Sequence, residues 1–354
     1  MLITTSIHFL FLIFLGMLLL VLLLIITVLF YSFYQYRESI RIARWSAIIN
    51  KKISDTIVYG EDEVLQNNNF TISHNSLFRN LFLKKLVDSE KKFSGVAQHR
   101  IQDLFVRYNL KNEALKKLDQ KKKHLIAGGI QELTAMNVVE AIPKISVFLE
   151  HPSSQVYQEA QYALVSFKGF EGLYFLDTIS TTISEWQQLR LLRSLVSIPL
   201  ECNNKIKNWL ESENNSVVIF SLKLLRKFQL LTFYPLIINL LNHSSVEIRV
   251  QTIHTLLSLE NSSTISHLIQ VYPEQPIEVQ LEILQSMKTS KDHSCTDFLK
   301  KELLENPLST IKIHSAEALF SLGYQEYLLQ LIHKQSSSAQ LIQIIKYALQ
   351  EKVC

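Results

Sequence analysis

Residues 245–259 read SVEIRVQTIHTLLSL, and five other stretches of the chain repeat this pattern. Each places apolar residues three or four positions apart, the spacing of one face of an α-helix. The others read SQVYQEAQYALVSF from Ser154, EWQQLRLLRSLVSI from Glu185, NSVVIFSLKLLRKF from Asn215, IEVQLEILQSM from Ile277 and STIKIHSAEALFSLG from Ser309. Aligned apolar residues recur every 29 to 33 positions: Val156, Leu189, Val218, Ile248, Val279 and Ile311. This period predicts a stacked array of helix pairs, in which each stretch is a second helix.

Short polar turns precede four of these second helices, at residues 150–154, 241–245, 273–276 and 305–309. Their Ser and Asn side chains are typical N-caps, and their Pro residues suit the first helical turn or the loop before it. The chain has only 8 Gly and 7 Pro in 354 residues, too few turns for a sandwich or a barrel. The sequence therefore predicts an all-α fold in which six or seven helix pairs share one core.

The N-terminal part of the chain has the pattern of a membrane span. Residues 7–31 contain no charged side chain, and the stretch from Phe9 to Phe30 is almost entirely Leu, Ile, Phe and Val. About 20 apolar residues suffice to cross a bilayer core about 30 Å thick. A cleaved signal peptide needs a basic start and a small-residue cleavage site, whereas bulky aromatics follow this stretch. We expect residues 1–6 to be a short tail and residues 7–31 to be an uncleaved single transmembrane helix.

Charge predicts the orientation of this helix. Basic residues follow it closely and none precedes it, so the positive-inside rule places the N-terminus outside and the rest of the chain in the cytoplasm, at the inner (cytoplasmic) membrane. Three widely spaced cysteines agree with a reducing compartment. The residues that we expect at the membrane interface are Tyr34, Tyr36, Arg37, Arg41, Arg44 and Trp45.

Three segments separate the span from the repeats, which we expect to cover residues 110–354. We expect residues 32–54 to form a basic juxtamembrane helix, residues 55–75 a polar linker and residues 76–109 a charged helical region. The helical spacing in the juxtamembrane helix comes from four apolar residues, Ile40, Ala43, Ala47 and Ile48.

Residues 79–123 (the basic stretch) hold 13 basic and 5 acidic side chains. They contact anionic lipid head groups or form a solvated helix face, and the pattern leaves both open. No basic stripe continues into the repeats, so we do not expect nucleic acid as a partner.

The repeats resemble HEAT repeats. In the closest unit a first helix ends at residues 237–242 and HSSVEIRV follows from His243, which matches the family's short turn and the Val-Arg pair that opens its second helix. Another unit has small Ala160 and Ala163 where helices pack closely, although the Arg is replaced in most units. The resemblance covers residues 110–352 and implies an α-solenoid of HEAT-like helix pairs without specifying a role.

Nearly the whole chain is also similar to bacterial membrane-anchored HEAT-repeat proteins. These have an N-terminal helix, a basic juxtamembrane stretch and the run GFEGL, here at residues 169–173, before EWQQL, here at residues 185–189. Such proteins are often encoded beside glycosyltransferases. The resemblance therefore implies a partner in an envelope glycosyltransferase system.

No motif for catalysis or metal binding stands out. The chain has no glycine-rich phosphate loop, no HExxH and no GxSxG. The tetrapeptide at residues 292–295, DHSC, offers too few ligands for zinc, and His243 and His254 fit a turn and a helix face. Gly128-Gly129 inside a helical pattern indicates close helix packing. We expect no enzyme activity, no cofactor and no small-molecule substrate.

The three tryptophans fall into two groups. Trp209 lies beside Leu210 in a predicted first helix, so we expect it in the core. We expect Trp186 in the core as well, although it opens a second helix beside two glutamines. Trp45 is expected near the membrane surface, where an indole ring and its N–H are both accommodated.

A scaffold that binds other proteins is the leading functional hypothesis, because solenoids present long surfaces lined by second helices. The candidate partner-binding residues are polar residues of those helices: Arg190, Arg193, Lys223, Arg226, Arg249 and Gln280. For each one, ordinary solvated surface is the alternative. Two other hypotheses stay open: a HEAT-like enzyme, either DNA glycosylase-like or bilin lyase-like, and a purely structural membrane-associated protein. The balanced charge of the repeats argues against a glycosylase.

Overall fold

The computed structural model describes residues 2–60, 75–259, 261–334 and 338–350. Within these residues all regular structure is helical, with 18 α-helices joined by turns and 3-10 segments. This confirms the predicted all-α fold. The chain divides into two compact units, residues 1–167 (the first unit) and residues 168–354 (the second unit).

The helices of the first unit are α1 Leu2–Tyr59, α2 Ser76–Glu90, α3 Val96–Arg107, α4 Lys111–Leu118, α5 Lys123–Ala135, α6 Ile142–Ser146 and α7 Ser154–Lys168. The second unit opens with a 3-10 segment, Gly169–Asp177. Its helices are α8 Glu185–Ser194, α9 Asn203–Leu210, α10 Asn215–Phe228, α11 Tyr234–Asn239, α12 Val246–Ser258, α13 Thr264–Val271, α14 Ile277–Ser290, α15 Thr296–Glu305, α16 Ser309–Ser321, α17 Gln325–His333 and α18 Ala339–Gln350.

The first helix, α1, is continuous over 58 residues, about 87 Å at 1.5 Å per residue. It contains no Pro, and it ends at Gly60, whose φ of 78° is a conformation that favours Gly. Two expected boundaries change. The predicted tail at residues 1–6 is helical from Leu2, and α1 runs through Tyr59 into the predicted linker. The rest of that linker, residues 61–74, lies outside the described residues.

The C-terminal end of α1 belongs to the core of the first unit. Ile49 and Ile53 are buried in one apolar cluster that includes Phe82 of α2 and extends to Ala163 of α7. The face of α1 that docks carries Ile49, which is fully buried, whereas its neighbour Ile48 is 51% exposed. The core therefore spans the predicted juxtamembrane helix, the charged helical region and the first repeats.

Helix pairs repeat from α4 onward, and each of the six predicted second helices begins within one residue of its expected start. In the second unit, successive second helices pack against each other, in the order α8, α10, α12, α14, α16 and α18. Helix pairs that each pack against the next pair along the chain form an α-solenoid. The described residues contain eight pairs rather than six or seven, because α4 with α5 and α17 with α18 also pair.

One repeat departs from the apolar pattern. The aligned residue Leu189 is 60% exposed. The buried residue of this repeat is its neighbour Gln188, which is 3% exposed, whereas the equivalent positions of the repeats before and after hold Val156 and Val218. The amide is accommodated because its Nε2 donates to the carbonyl of Ile183 at 3.0 Å and its Oε1 accepts from Nζ of a lysine in α10 at 2.9 Å. Alignment by apolar residues fails here, since a hydrogen-bonded polar side chain fills the core position.

The predicted turns are confirmed, and two of them close in the same way. Nδ1 of His151 accepts from the backbone N–H of Ser153 at 3.0 Å, and Nδ1 of His243 accepts from that of Ser245 at 3.0 Å. His243 is thus a turn residue, as predicted. Trp209 is buried, as predicted, and its Nε1 donates to a carboxylate oxygen of an aspartate at 2.6 Å.

Candidate functional site

The N-terminal half of α1 leaves its apolar side chains uncovered. From Phe11 to Tyr31 every residue is exposed, and the large apolar side chains are 46–72% exposed. By length and composition this is the one helix among the described residues that is able to cross a membrane. Burying a Leu, Ile or Phe side chain contributes about 1.5–3 kcal/mol. Some 20 such residues favour an apolar environment by an amount on the order of tens of kcal/mol.

Basic and aromatic residues follow this apolar segment on the same helix. Five of the six predicted interface residues are exposed: Tyr34, Tyr36, Arg37, Arg41 and Arg44. The guanidinium of Arg37 lies over the ring of Phe33, 5.8 Å from its centroid, and Arg41 pairs with Glu38 at 3.4 Å. Their position at a membrane interface stays a prediction.

Trp45, the sixth predicted interface residue, is half-buried, and its place at a membrane interface also stays a prediction. Its ring meets Phe78 of α2 edge-on, with centroids 5.5 Å apart and planes at 89°, and it packs against the apolar cluster. The reason is that α1 docks on α2 through the face that carries Trp45 and Ile49, where an aromatic pair adds to the burial of both rings.

Several cations of the basic stretch are structural. Nε of Arg79 donates to Oε1 of Glu113 at 3.0 Å, and both side chains are largely buried. Lys117 pairs with Glu132 at 2.5 Å, and Arg100 donates to a backbone carbonyl near the end of α1 at 2.7 Å. These contacts join α1 to α3, α2 to α4, and α4 to α5, so these three cations stabilise the first unit.

Hydrogen bonds within the repeats already engage several of the predicted partner-binding residues. Nζ of Lys223 donates to Gln188 of the preceding second helix at 2.9 Å. Arg249 donates to a turn carbonyl and, at 3.1 Å, to Oε1 of Gln275. Gln280 donates to a backbone carbonyl at 3.1 Å. Their part in partner binding stays a prediction, but each of them already stabilises the array.

The helix α8 exposes a face of mixed apolar and basic character. Trp186 is 72% exposed and Leu189 is 60% exposed; with exposed Arg193 they lie three and four residues apart on one side (the α8 face). The prediction that Trp186 lies in the core was wrong, because α8 buries the neighbouring side that carries Gln187 and Gln188. The two remaining candidates are half-buried: Arg190 and Arg226.

Polar pairs also join successive second helices, and the sequence reasoning did not identify them. Lys288 of α14 pairs with Glu317 of α16 at 2.7 Å, and His254 of α12 contacts Glu282 of α14 at 2.7 Å. The partners are 29 and 28 residues apart. Such pairs could have been predicted from the sequence by searching for complementary side chains about one repeat apart.

The tetrapeptide at residues 292–295 forms a capped turn. Oδ1 of Asp292 accepts from the backbone N–H of Ser294 at 2.8 Å, and burial, assisted by Asp292, raises the pKa of the Cys295 thiol to about 11. In the part of the chain that the structure describes, no three His, Cys, Asp or Glu side chains form a group that holds a metal. Cys202 and Cys295 are free thiols, and Cys354 lies outside the described residues.

No family model and no curated protein matches this chain. Solved structures of other helical proteins are similar to it. The YibA protein of Escherichia coli is 14% identical, with 80% of this chain and 100% of that chain covered and a TM-score of 0.40. Human deoxyhypusine hydroxylase is 13% identical, with 77% and 96% covered and a TM-score of 0.28. The CpcE–CpcF complex of the phycocyanin lyase from Nostoc is 13% identical, with 80% and 98% covered and a TM-score of 0.26. Likenesses at this level assign no activity to this chain.

Proposed function

We propose that this chain is a single-pass membrane protein that holds a helical-repeat scaffold in the cytoplasm, binds a protein partner and catalyses no reaction. One observation carries the proposal: the apolar half of α1 is uncovered, while the other end of the same helix is part of the first unit's core. The exposed basic residues that follow the apolar half, Arg37, Arg41 and Arg44, support a cytoplasmic location of the repeats through the positive-inside rule.

The α8 face is the proposed partner site. Exposed Trp and Arg side chains are the residue types that dominate binding energy at protein interfaces. Trp186 and Leu189 suit an apolar pocket, and Arg193 suits a carboxylate beside it. The sequence resemblance implies an envelope glycosyltransferase system, so its cytoplasmic components are the first partners to test.

Affinity purification of the tagged full chain in a mild detergent tests the proposal. We expect a stoichiometric partner that is lost from the double variant Trp186→Ala, Arg193→Ala. The control is Val147→Ala, which removes a side chain that is 75% exposed in the first unit, and it should retain the partner. A chain that purifies alone contradicts the scaffold and favours a purely structural role.

The enzymatic alternative has its own readout. A bilin lyase-like protein holds a coloured tetrapyrrole, so visible absorbance of the purified chain would favour that alternative over the scaffold. We expect no absorbance beyond that of the aromatic side chains.

A further inference from the structure

One side of α1 changes from apolar to polar at the end of its apolar segment. Phe30, Phe33 and Arg37 are three and four residues apart, so they share one side of the helix, and Tyr34 lies beside them. Phe30 is 72%, Phe33 60% and Tyr34 64% exposed, and Arg37 is exposed as well. This side therefore presents an apolar surface followed by a hydroxyl and a guanidinium, which matches a phospholipid from its acyl chains to its phosphate.

The guanidinium of Arg37 points back toward the apolar segment. Its carbon lies 5.8 Å from the centroid of the Phe33 ring, one turn nearer to that segment, in the direction in which helical side chains lean. The Cα of Arg37 is about 9 Å past that of Tyr31 along the helix, and the Cα of Phe33 is about 3 Å past it. The head-group layer is about 5–8 Å thick on each side of a bilayer. With the apolar segment in the bilayer core, the guanidinium of Arg37 therefore lies within the head-group layer.

Arg41, one turn further along the helix, is held differently. Its guanidinium lies over the ring of Trp45, 5.2 Å from the centroid and on the side away from the apolar segment. It also pairs with Glu38 at 3.4 Å, and Glu38 is the only carboxylate in the first 54 residues. The charge of Arg41 is therefore partly neutralised and is directed away from the head groups.

Arg44 matches Arg37 in charge and in exposure but not in position. Its Cα is about 20 Å past that of Tyr31 along the helix. This is more than one Debye length, about 8 Å at physiological salt, beyond the head-group layer. Arg37 is thus the arginine of α1 that is placed to contact a lipid phosphate.

We propose that Arg37 and Tyr34 bind the phosphate of an anionic phospholipid, such as phosphatidylglycerol, in the leaflet at this end of the apolar segment. The planar guanidinium stacks on Phe33 and donates two N–H groups to two phosphate oxygens. The hydroxyl of Tyr34 donates to the same phosphate, and Phe30 contacts the first methylenes of an acyl chain. A head group without an ammonium leaves the phosphate charge to the arginine, so anionic lipids bind more tightly than zwitterionic ones. The inference rests on the membrane attachment proposed above.

Native mass spectrometry of the full chain in detergent, with added lipids, tests this proposal. The two probes are phosphatidylglycerol and phosphatidylcholine with identical acyl chains. We expect phosphatidylglycerol to bind about tenfold more tightly, the effect of one hydrogen bond to a charged group. Equal affinity for the two lipids would overturn the proposal.

Arg37→Gln and Arg44→Gln form a matched pair of variants, because each removes one exposed positive charge from the same helix. We expect Arg37→Gln to lose most of the preference for phosphatidylglycerol and Arg44→Gln to retain it. Equal losses would mean that the lipid responds to the net charge of α1 and not to a site, which contradicts the proposal. Arg37→Lys keeps the charge but not the planar fork, and it should bind phosphatidylglycerol more weakly than the wild type does. Wild-type affinity of this variant would contradict the bidentate contact.

Glycerophosphoglycerol distinguishes a lipid from a soluble phosphate ester. We expect it not to displace phosphatidylglycerol at similar concentrations, because it lacks the acyl chains that contact the apolar segment. Displacement would assign the site to the soluble molecule and overturn the lipid source.

The affinity purification described above separates this inference from the proposed function. Arg37→Gln should lose the lipid preference and retain the protein partner. Loss of the partner would assign Arg37 to the partner and overturn the lipid site, while the scaffold would hold. A wild-type chain that purifies alone but prefers phosphatidylglycerol would contradict the scaffold and support the lipid site.

Discussion

Gly128 and Gly129 are neighbours in α5, but only the second lies against α4. A Cβ on Gly129 would lie 2.8 Å from Cβ of Lys117 and 2.9 Å from the carbonyl oxygen of Ala114, whereas a Cβ on Gly128 would meet nothing within 4 Å. Close packing, predicted for the pair, is confirmed for Gly129 alone.

This difference gives a matched pair of substitutions. We expect Gly129→Ala to lower the free energy of unfolding by about 1–3 kcal/mol through overpacking. Gly128→Ala should raise it by about 0.5–1 kcal/mol, because alanine is the better helix former where space is open. Urea unfolding of the full chain in detergent, followed by circular dichroism, measures both, and effects of the same sign would contradict the packing described here.

Glu132 makes stability depend on pH. Burial raises the pKa of its carboxyl in the folded chain, so the folded state binds the proton more tightly than the unfolded state does. The corresponding stabilisation is present at low pH and is lost as pH rises through the folded-state pKa. We therefore expect Glu132→Gln to gain thermal stability relative to the wild type as the pH rises above the ordinary glutamate pKa of 4.5.

A control for this pH effect is Glu140. Its pKa is lowered, first by a backbone hydrogen bond and then by Lys111, so Glu140→Gln should show a difference of the opposite sign. A difference between Glu132→Gln and the wild type that stays constant across the pH range would contradict the burial of this carboxyl.

At the scale of single residues, five of the six aligned apolar positions are buried, and the sequence prediction failed where residue type and environment disagree. Gln188 is buried and Trp186 is exposed, the reverse of what their polarity predicts. Only the neighbouring groups explain the glutamine: the carbonyl of Ile183 and the ammonium of Lys223 satisfy its amide. The α8 face was not predicted, because residue polarity alone places Trp186 in the core.

The docked end of α1 is the element that most distinguishes this chain from a domain on a flexible tether. Ile49 is fully buried against the first unit and its neighbour Ile48 is 51% exposed. We expect Ile49→Ala to cost about 2–4 kcal/mol of stability, and Ile48→Ala to change it by less than about 0.5 kcal/mol. Chemical unfolding of the two variants decides which face of α1 is docked, and equal losses would contradict the docking.

The link between α14 and α16 is testable by a double-mutant cycle. Lys288 and Glu317 are 2.7 Å apart with 23% and 11% of their side chains exposed, so we expect a coupling energy of about 1–2 kcal/mol between Lys288→Met and Glu317→Gln. The exposed pair Lys111 and Glu140 should give a much weaker coupling, because solvent screens exposed charges. Indistinguishable couplings would mean that the buried pair contributes no more than surface charge does.

At the scale of elements, the repeats were predictable because apolar residues recur at a near-constant period and turn residues mark the start of four of the six second helices. The bounds of α1 were not predictable from composition. Its hydrophobicity falls after Tyr31 and its polarity rises after Asp55, but neither change breaks the backbone hydrogen bonding of a helix. This helix continues until Gly60, whose φ of 78° is left-handed.

At the scale of the whole molecule, α1 is one continuous helix, so no flexible linker separates the proposed membrane span from the first unit. The core of the first unit includes the C-terminal turns of α1. The proposed span is therefore joined to this unit directly through the helix. The first unit is then held at a fixed distance from the bilayer, about 27 Å along the helix from Tyr31 to Ile49.

Protease accessibility of the full chain in oriented membrane vesicles tests the central claim most directly. With a C-terminal tag, we expect trypsin to remove the tag in inside-out vesicles and to leave it intact in right-side-out vesicles, while carbonate washing leaves the chain in the membrane fraction. A chain released by carbonate, or a tag digested in right-side-out vesicles, would contradict a membrane-spanning α1 with cytoplasmic repeats.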